Sequence, residues 1–210
     1  MNLFEVGDLV MKVIGLTGGI ASGKSTVSKA LEKLGAVRID TDQLAHQAIE
    51  PDKPAWEDIV ETYGQGVLNV DRTINRRKLG EIVFDNPVML IKLNHITHKR
   101  IKESINESLH NARVNHPDAI VILEVPLLYE TNLDKICDEV WVVYVERETQ
   151  IRRLMEKEGF NRENAVKRID SQMLLEEKVR RADLVIDNNG EIEETIATAT
   201  KYYNDIIQKA

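Results

Sequence analysis

An internal disulfide cannot form in this chain, because Cys137 is the one cysteine among its 210 residues. The same arithmetic excludes a cysteine-rich zinc site. No apolar run approaches the roughly 20 residues that a bilayer-spanning helix needs. The opening stretch, MNLFEVGDLVMK, places no basic leader before an apolar block, so no secretory signal is expected. Repeats and low-complexity segments are absent as well. Positive charge is in deficit: 28 Lys and Arg face 35 Asp and Glu, a formal net charge of −7, which argues against a general nucleic-acid binder. The expected compartment is the cytoplasm, with neither membrane nor nucleic acid as partner.

What remains is an ordinary globular composition, 42% hydrophobic and 30% charged. The length suits one sizeable core with a subdomain. Its basic residues are unevenly spread. Residues 72–102 carry eight Lys or Arg against two acids, and residues 147–181 carry ten against seven. On an acidic chain, two such runs read as clamps for anions.

Pattern and punctuation predict alternating strands and helices. Residues 12–17 (KVIGLT) read as the first strand, after an extension of ten residues. A helix over 24–34 stops at Gly35, and a short strand follows over 36–40. Residues 56–115 read as largely helical, broken by the turn-like Gly64-Gln65-Gly66. The short β-branched runs 119–125 and 139–145 have the character of strands buried on both faces. Residues 150–181 are charged and helical in pattern, 183–190 a last strand, and 192–209 a closing helix. This alternation implies an α/β fold with a doubly wound parallel sheet. The two helical stretches would then be additions at the carboxyl ends of the strands, where such sheets bind ligands.

The strongest motif is Gly18-Gly19-Ile20-Ala21-Ser22-Gly23-Lys24-Ser25, which matches G-x-x-x-x-G-K-[ST] in full and is followed by Thr26. A strand precedes it and a helix follows. Its glycines let backbone N–H groups turn inward around a phosphate, and the helix N-terminus adds its dipole. In such a loop Lys24 reaches the β- and γ-phosphates of ATP and Ser25 ligates Mg²⁺. A guanine-reading N-K-x-D is missing, which excludes a GTPase and leaves the small-molecule kinases.

A kinase acting on an alcohol needs a carboxylate to orient the hydroxyl and take its proton. Asp40 and Asp42 stand at the end of the second strand, and either one is equally suited to cap the helix that follows. Glu124 ends the third strand, where it would hold Mg²⁺ through water or brace the loop. The apolar residues of Pro126-Leu127-Leu128-Tyr129-Glu130 line a pocket or simply pack. In the 150–181 segment, Arg153 and Arg168 are candidates to hold the transferring phosphoryl group, since guanidinium forks match phosphate oxygens. The segment is expected to be mobile because its arginines lack anionic partners until phosphates arrive. A phosphorylated nucleoside or sugar acid remains open as substrate, as does an ATP-sensing module without catalysis.

The stretches IGLTGGIASGKSTV, IDTDQLAHQAIEP, INRRKLGEIVF, LNHITH and EVPLLYE, with the run from QIRRLM through RIDSQM to EEKVRRADLVIDNNG, closely resemble the dephospho-CoA kinase family. They span residues 12 to about 190. The resemblance implies a P-loop kinase with a five-stranded parallel core (about 11–50, 116–149 and 182–210), a helical CoA-binding subdomain (about 51–115) and a lid (about 150–181). It implies ATP-dependent phosphorylation of the ribose 3′-hydroxyl of dephospho-CoA, with Mg²⁺. Apart from the resemblance, a monomer is expected, with weak oligomers left open. Asp42 would be the catalytic carboxylate, and Lys24 and Arg153 would hold the phosphoryl group. Asn188 would lie near the adenine, and Thr17, Asp40, Arg76, His98, Leu127 and Leu128 would fall on the dephospho-CoA side. The chain departs from the family at Lys99, where proline usually follows the histidine, at Lys157, where arginine is frequent, and at Leu174, where proline is common.

Overall fold

The computed structural model describes residues 11–84 and 86–209; the proposed N-terminal extension of ten residues lies outside them. Five strands form one sheet: β1 (Lys12–Gly18), β2 (Val37–Asp40), β3 (Ile120–Glu124), β4 (Glu139–Tyr144) and β5 (Leu184–Asp187). Their order is β2-β3-β1-β4-β5. β1 is central and pairs in parallel with β3, Leu16 opposite Glu124, and with β4, Gly18 opposite Val143. β5 extends the sheet in parallel from β4. Every residue of β3 is buried, as an apolar β-branched run must be when helices cover both sheet faces. The doubly wound α/β fold expected from the sequence is the fold observed.

By its contacts the chain divides into two compact units, residues 1–39 with 112–210 and residues 40–111. In the first, helix α1 (Lys24–Glu32) presents Val27 and Leu31 to the sheet. Helix α9 (Ile192–Lys209) brings Ala199 and Tyr203, spaced four apart on one face, against the same core. Ile14, Leu16, Trp141, Val143 and Ile186 complete it. α1 is two residues shorter than its pattern suggests. Its end tightens into a turn in which Gly35 N–H donates to the Glu32 carbonyl and Gly35 takes φ 103°.

The second unit holds α2 (Thr41–Ala48), α3 (Pro54–Tyr63), α4 (Arg76–Phe84) and most of α5 (Pro87–Asn115). Trp56, Ile59, Val67, Ile74, Leu79 and Val83 form its own core. The expected long helix over 56–115 is broken more often than the Gly64-Gln65-Gly66 signal alone implies. Asp71 accepts from its neighbour Thr73 through N–H and Oγ1, a local bond that competes with helix, and Leu68 pairs with Ile74 as an isolated antiparallel bridge. Pro87 then starts a fresh helix, with the Asn86 side chain accepting from Met89 N–H.

The charged segment forms three short helices in the first unit: α6 (Arg147–Glu158), α7 (Arg162–Asp170) and α8 (Leu175–Arg180). α6 starts three residues before the sequence pattern suggests. Ile151, Leu154, Ala165 and Ile169 make a small core between α6 and α7, with Ile20 and Ala21 of the glycine-rich loop packed against it.

Leu31 is fully buried between α1, the sheet and α9. Leu31→Ala should cost about 2–5 kcal/mol, read as a lower denaturant midpoint at unchanged slope.

Candidate active site

The loop between β1 and α1 is held in a conformation that side chains would obstruct. Gly23, the N-cap of α1, has φ 96°, and a Cβ there would run into Nδ2 of Asn188. A Cβ on Gly18 would stand 2.5 Å from the Val143 carbonyl. No side chain caps α1, so its positive N-terminal end faces the loop, the usual arrangement for an anion. Lys24, only 9% exposed, folds back so that its ammonium donates to the Gly19 carbonyl at 3.4 Å. The Ser22 hydroxyl is fully buried and has no hydrogen-bond partner among the described residues. A buried hydroxyl without a partner is costly, and a phosphate oxygen in this loop is a fitting one.

The loop is gripped from behind. Asn188 donates through Nδ2 to the Ser22 carbonyl at 2.7 Å, and its Oδ1 accepts from Thr195 Oγ1 at 2.9 Å. Gln150 donates to the Ile20 carbonyl at 2.9 Å, and Gln172 accepts from Ile20 N–H at 3.0 Å. Arg153 donates to the carbonyls of Asn188 at 2.9 Å and Ala21 at 3.4 Å. Gln150, Gln172 and Thr195 are not among the residues to which the sequence points. The signal for Gln150 is an uncharged amide in the first turn of a highly charged helix; it is 3% exposed. Asn188 is equally buried, with both ends of its amide committed to protein groups. Arg153 rests on backbone carbonyls.

Beneath the first turn of α1 lies Glu124. Its Oε1 accepts from Ser25 Oγ at 2.5 Å and its Oε2 from Ser28 Oγ at 2.6 Å. Arg38 adds two further donations to Oε2, from Nε at 3.0 Å and Nη2 at 2.8 Å. Burial alone would raise the pKa of this carboxyl, but Ser25, Ser28 and Arg38 together hold it below the usual value. Of the two roles open to Glu124, bracing the loop is visible directly in these bonds. The oxygen donors Ser25 and Glu124 also suit Mg²⁺. No group of three or more His, Cys, Asp or Glu that could hold a metal occurs among the described residues.

The remaining candidates separate by position. Asp40 accepts from Asp42 N–H at 3.0 Å and Gln43 N–H at 3.2 Å, so Asp40 is the cap of α2 and Asp42 an exposed residue in its first turn. Arg76 donates to Nδ1 of His46 at 2.7 Å, and His98 is exposed on α5. Leu127 is exposed, whereas Leu128 is fully buried under β1. Thr17 is buried and donates to the Pro126 carbonyl at 3.3 Å. Burial, then Asp134 and Asp138, push the Cys137 thiol up to about 12, which disfavours the thiolate.

One expectation about the charged segment needs correcting. Several of its arginines already have acidic partners without any phosphate: Arg147 with Asp170, Arg162 with Glu148, Arg180 with Glu177 and Arg181 with Asp134. Acids interleaved along the same helices supply the first three, and Asp134, shortly before β4, supplies the last.

Arg38→Ala would leave the Glu124 carboxylate buried without its counter-charge, at a cost of roughly 3–5 kcal/mol near neutral pH. The folded-state pKa of Glu124 is depressed, so the stability its ionised form contributes is full above the ordinary carboxyl range and is lost as pH falls through the folded value. The penalty of the substitution should therefore shrink towards acid pH, as chemical denaturation of both proteins across that range will reveal.

The chain matches the family described as CoaE, dephospho-CoA kinase, over residues 12–194. The dephospho-CoA kinase of Carboxydothermus hydrogenoformans is 48% identical over 187 residues, which cover 89% of this chain and 90% of that one. A solved structure from Thermus thermophilus has 31% identity and a TM-score of 0.78, covering 93% of this chain and 98% of that one. The dephospho-CoA kinase structure from Campylobacter jejuni has 28% identity and a TM-score of 0.71, covering 92% of this chain and 96% of the other. Family match, identity and shared fold agree along almost the whole length. The chain belongs to the dephospho-CoA kinase family.

Proposed function

We propose that the protein transfers the γ-phosphoryl group of ATP to the ribose 3′-hydroxyl of dephospho-CoA, giving coenzyme A and ADP. The observation that carries this reading is the glycine-rich loop braced around a buried lysine, in a chain of this family. A loop of this kind binds the nucleotide phosphates through residues 18–26, with Lys24 over the β- and γ-phosphates. Mg²⁺, held by Ser25 and braced by Glu124, would neutralise charge on the phosphates. Arg153 uses two of its five N–H donors on backbone carbonyls, which supports a fixed guanidinium whose other donors meet phosphate oxygens.

Asp42 is proposed to accept the proton of the attacking hydroxyl. Its competing role as a helix cap belongs to Asp40, which supports a chemical reason for the second carboxylate. Arg76, His98 and the exposed Leu127 are assigned to the dephospho-CoA side, together with Thr17 and Asp40, which would act through the backbone they brace. The buried Leu128 acts by packing, and Asn188 serves the nucleotide by holding the loop. The CoA-binding subdomain over about 51–115 and the lid over about 150–181 belong to this reading, as do a monomeric state and a cytoplasmic location. No helix among the described residues is long and apolar enough to cross a membrane.

ADP release measured with dephospho-CoA, AMP, shikimate and gluconate tests the assignment. Dephospho-CoA should be turned over fastest, and equal or greater turnover of any other acceptor would refute it. Asp42→Asn tests the base. Asn cannot accept the proton, so kcat should fall about 10²-fold or more. Because Asp40 keeps the cap, thermal stability should change by less than about 1 kcal/mol, the scale of a charge in the first helical turn. Turnover within threefold of the wild type would remove Asp42 from the chemistry.

A further inference from the structure

Lys178 is a fully buried lysine that the phosphate loop does not use. Its ammonium has three hydrogens, and three oxygens surround it. It donates to the Pro126 carbonyl at 2.7 Å and lies 2.9 Å from Oε1 and 3.2 Å from Oε2 of Glu130. Burial lowers its pKa and Glu130 opposes that shift, while Glu130 is itself held below the usual carboxyl value. A side chain needed only to fill space at this point would do so more cheaply as methionine, since taking an ammonium out of water is costly. The charge therefore calls for another explanation.

The loop it holds leaves the sheet at Pro126, directly after Val125 N–H makes a last bond to the Leu16 carbonyl. Leu127, the exposed apolar residue of this loop, sits next to the clamped carbonyl. That carbonyl also accepts from Thr17, the residue before Gly18. On the other side, Met173 N–H donates to Glu130 Oε1 at 3.0 Å, while the adjacent Gln172 holds Ile20 N–H. Arg181 lies over the ring of Tyr129, 4.0 Å from its centroid. Residues 172–181 are thus bonded at one end to the nucleotide loop and, from Met173 onward, to residues 126–130.

We propose that Lys178 is a positioning residue for the acceptor substrate. Through the Pro126 carbonyl and Glu130 it fixes the direction in which Leu127 is presented, and the Gln172–Met173 pair ties that direction to the nucleotide loop. The proposal rests on the reading that Leu127 faces dephospho-CoA. It adds a buried charge, far along the sequence from the loop it sets, to the groups that determine acceptor affinity.

Lys178→Met keeps the length and bulk of the side chain and removes the clamp. The KM for dephospho-CoA should rise by about tenfold or more, with the KM for ATP and kcat each within about threefold of the wild type. Backbone amides of residues 127–130 should exchange faster with solvent, a change readable without turnover. Glu130→Gln, which keeps an acceptor but removes the charge, should shift the same constant in the same direction by less, and it decides the matter if Lys178→Met does not fold. Lowered thermal stability with both KM values unchanged, or a fall in kcat with a parallel rise in both KM values, would overturn the proposal. Were the wild-type enzyme to prefer another acceptor, the assignment of dephospho-CoA would fall. The KM split on that acceptor would still decide the role of Lys178.

Discussion

A backbone loop that binds an anion has to keep N–H groups pointing inward, away from the strand and helix on either side of it. It therefore receives little of the ladder bonding that holds regular structure, and its stability has to come from outside. In this protein that support comes from a ring of side chains contributed by distant parts of the chain. Asn188 arrives from the end of β5, Gln150 and Arg153 from α6, and Gln172 from just beyond α7, all directed at the backbone of residues 20–22 or its immediate neighbour. Glu124 fixes the first turn of α1 from below through Ser25 and Ser28. The parallel sheet makes this convergence possible, because it brings the carboxyl ends of β1, β3, β4 and β5 to one edge.

Two ion pairs belong to this scheme, the buried pair Arg38 with Glu124 and the buried Lys178 with Glu130, whose carboxylate reaches solvent. Desolvation offsets much of the attraction in such pairs, so neither is a strong source of net stability. What they supply is direction. A carboxylate that accepts from two hydroxyls and a guanidinium cannot rotate without leaving a donor unpaired, and an ammonium with three oxygens around it is equally fixed. The first pair sets the hydroxyl proposed to meet Mg²⁺; the second sets the loop that carries Leu127.

The charged helices after β4 show how composition conceals ion pairing. Their excess of arginine suggests a segment waiting for phosphate. Yet acids on the same helices already occupy Arg147 and Arg162, and the apolar residues Ile151, Leu154, Ala165 and Ile169 close a small core that includes Ile20 and Ala21. Any closing motion on nucleotide binding has to begin from helices that already rest on the loop.

Local rules were enough to read the strands, the phosphate loop and the closing helix, because a run such as IVILE or a glycine-rich turn before Lys24 has the same physical meaning in any chain. They also sufficed for Glu124 and for the paired aspartates, whose positions at strand ends are visible in the pattern. They could not decide which aspartate caps α2, since both have the chemistry and the choice depends on where the backbone leaves β2. Nor could they separate Leu127 from its neighbour Leu128, one exposed and one buried. Gln150, Gln172, Lys178 and Arg38 stayed hidden for a related reason. Each acts on a partner between 10 and 152 residues away, and hydrogen-bond partners at such distances are chosen by strand order and helix packing, which only the tertiary structure determines.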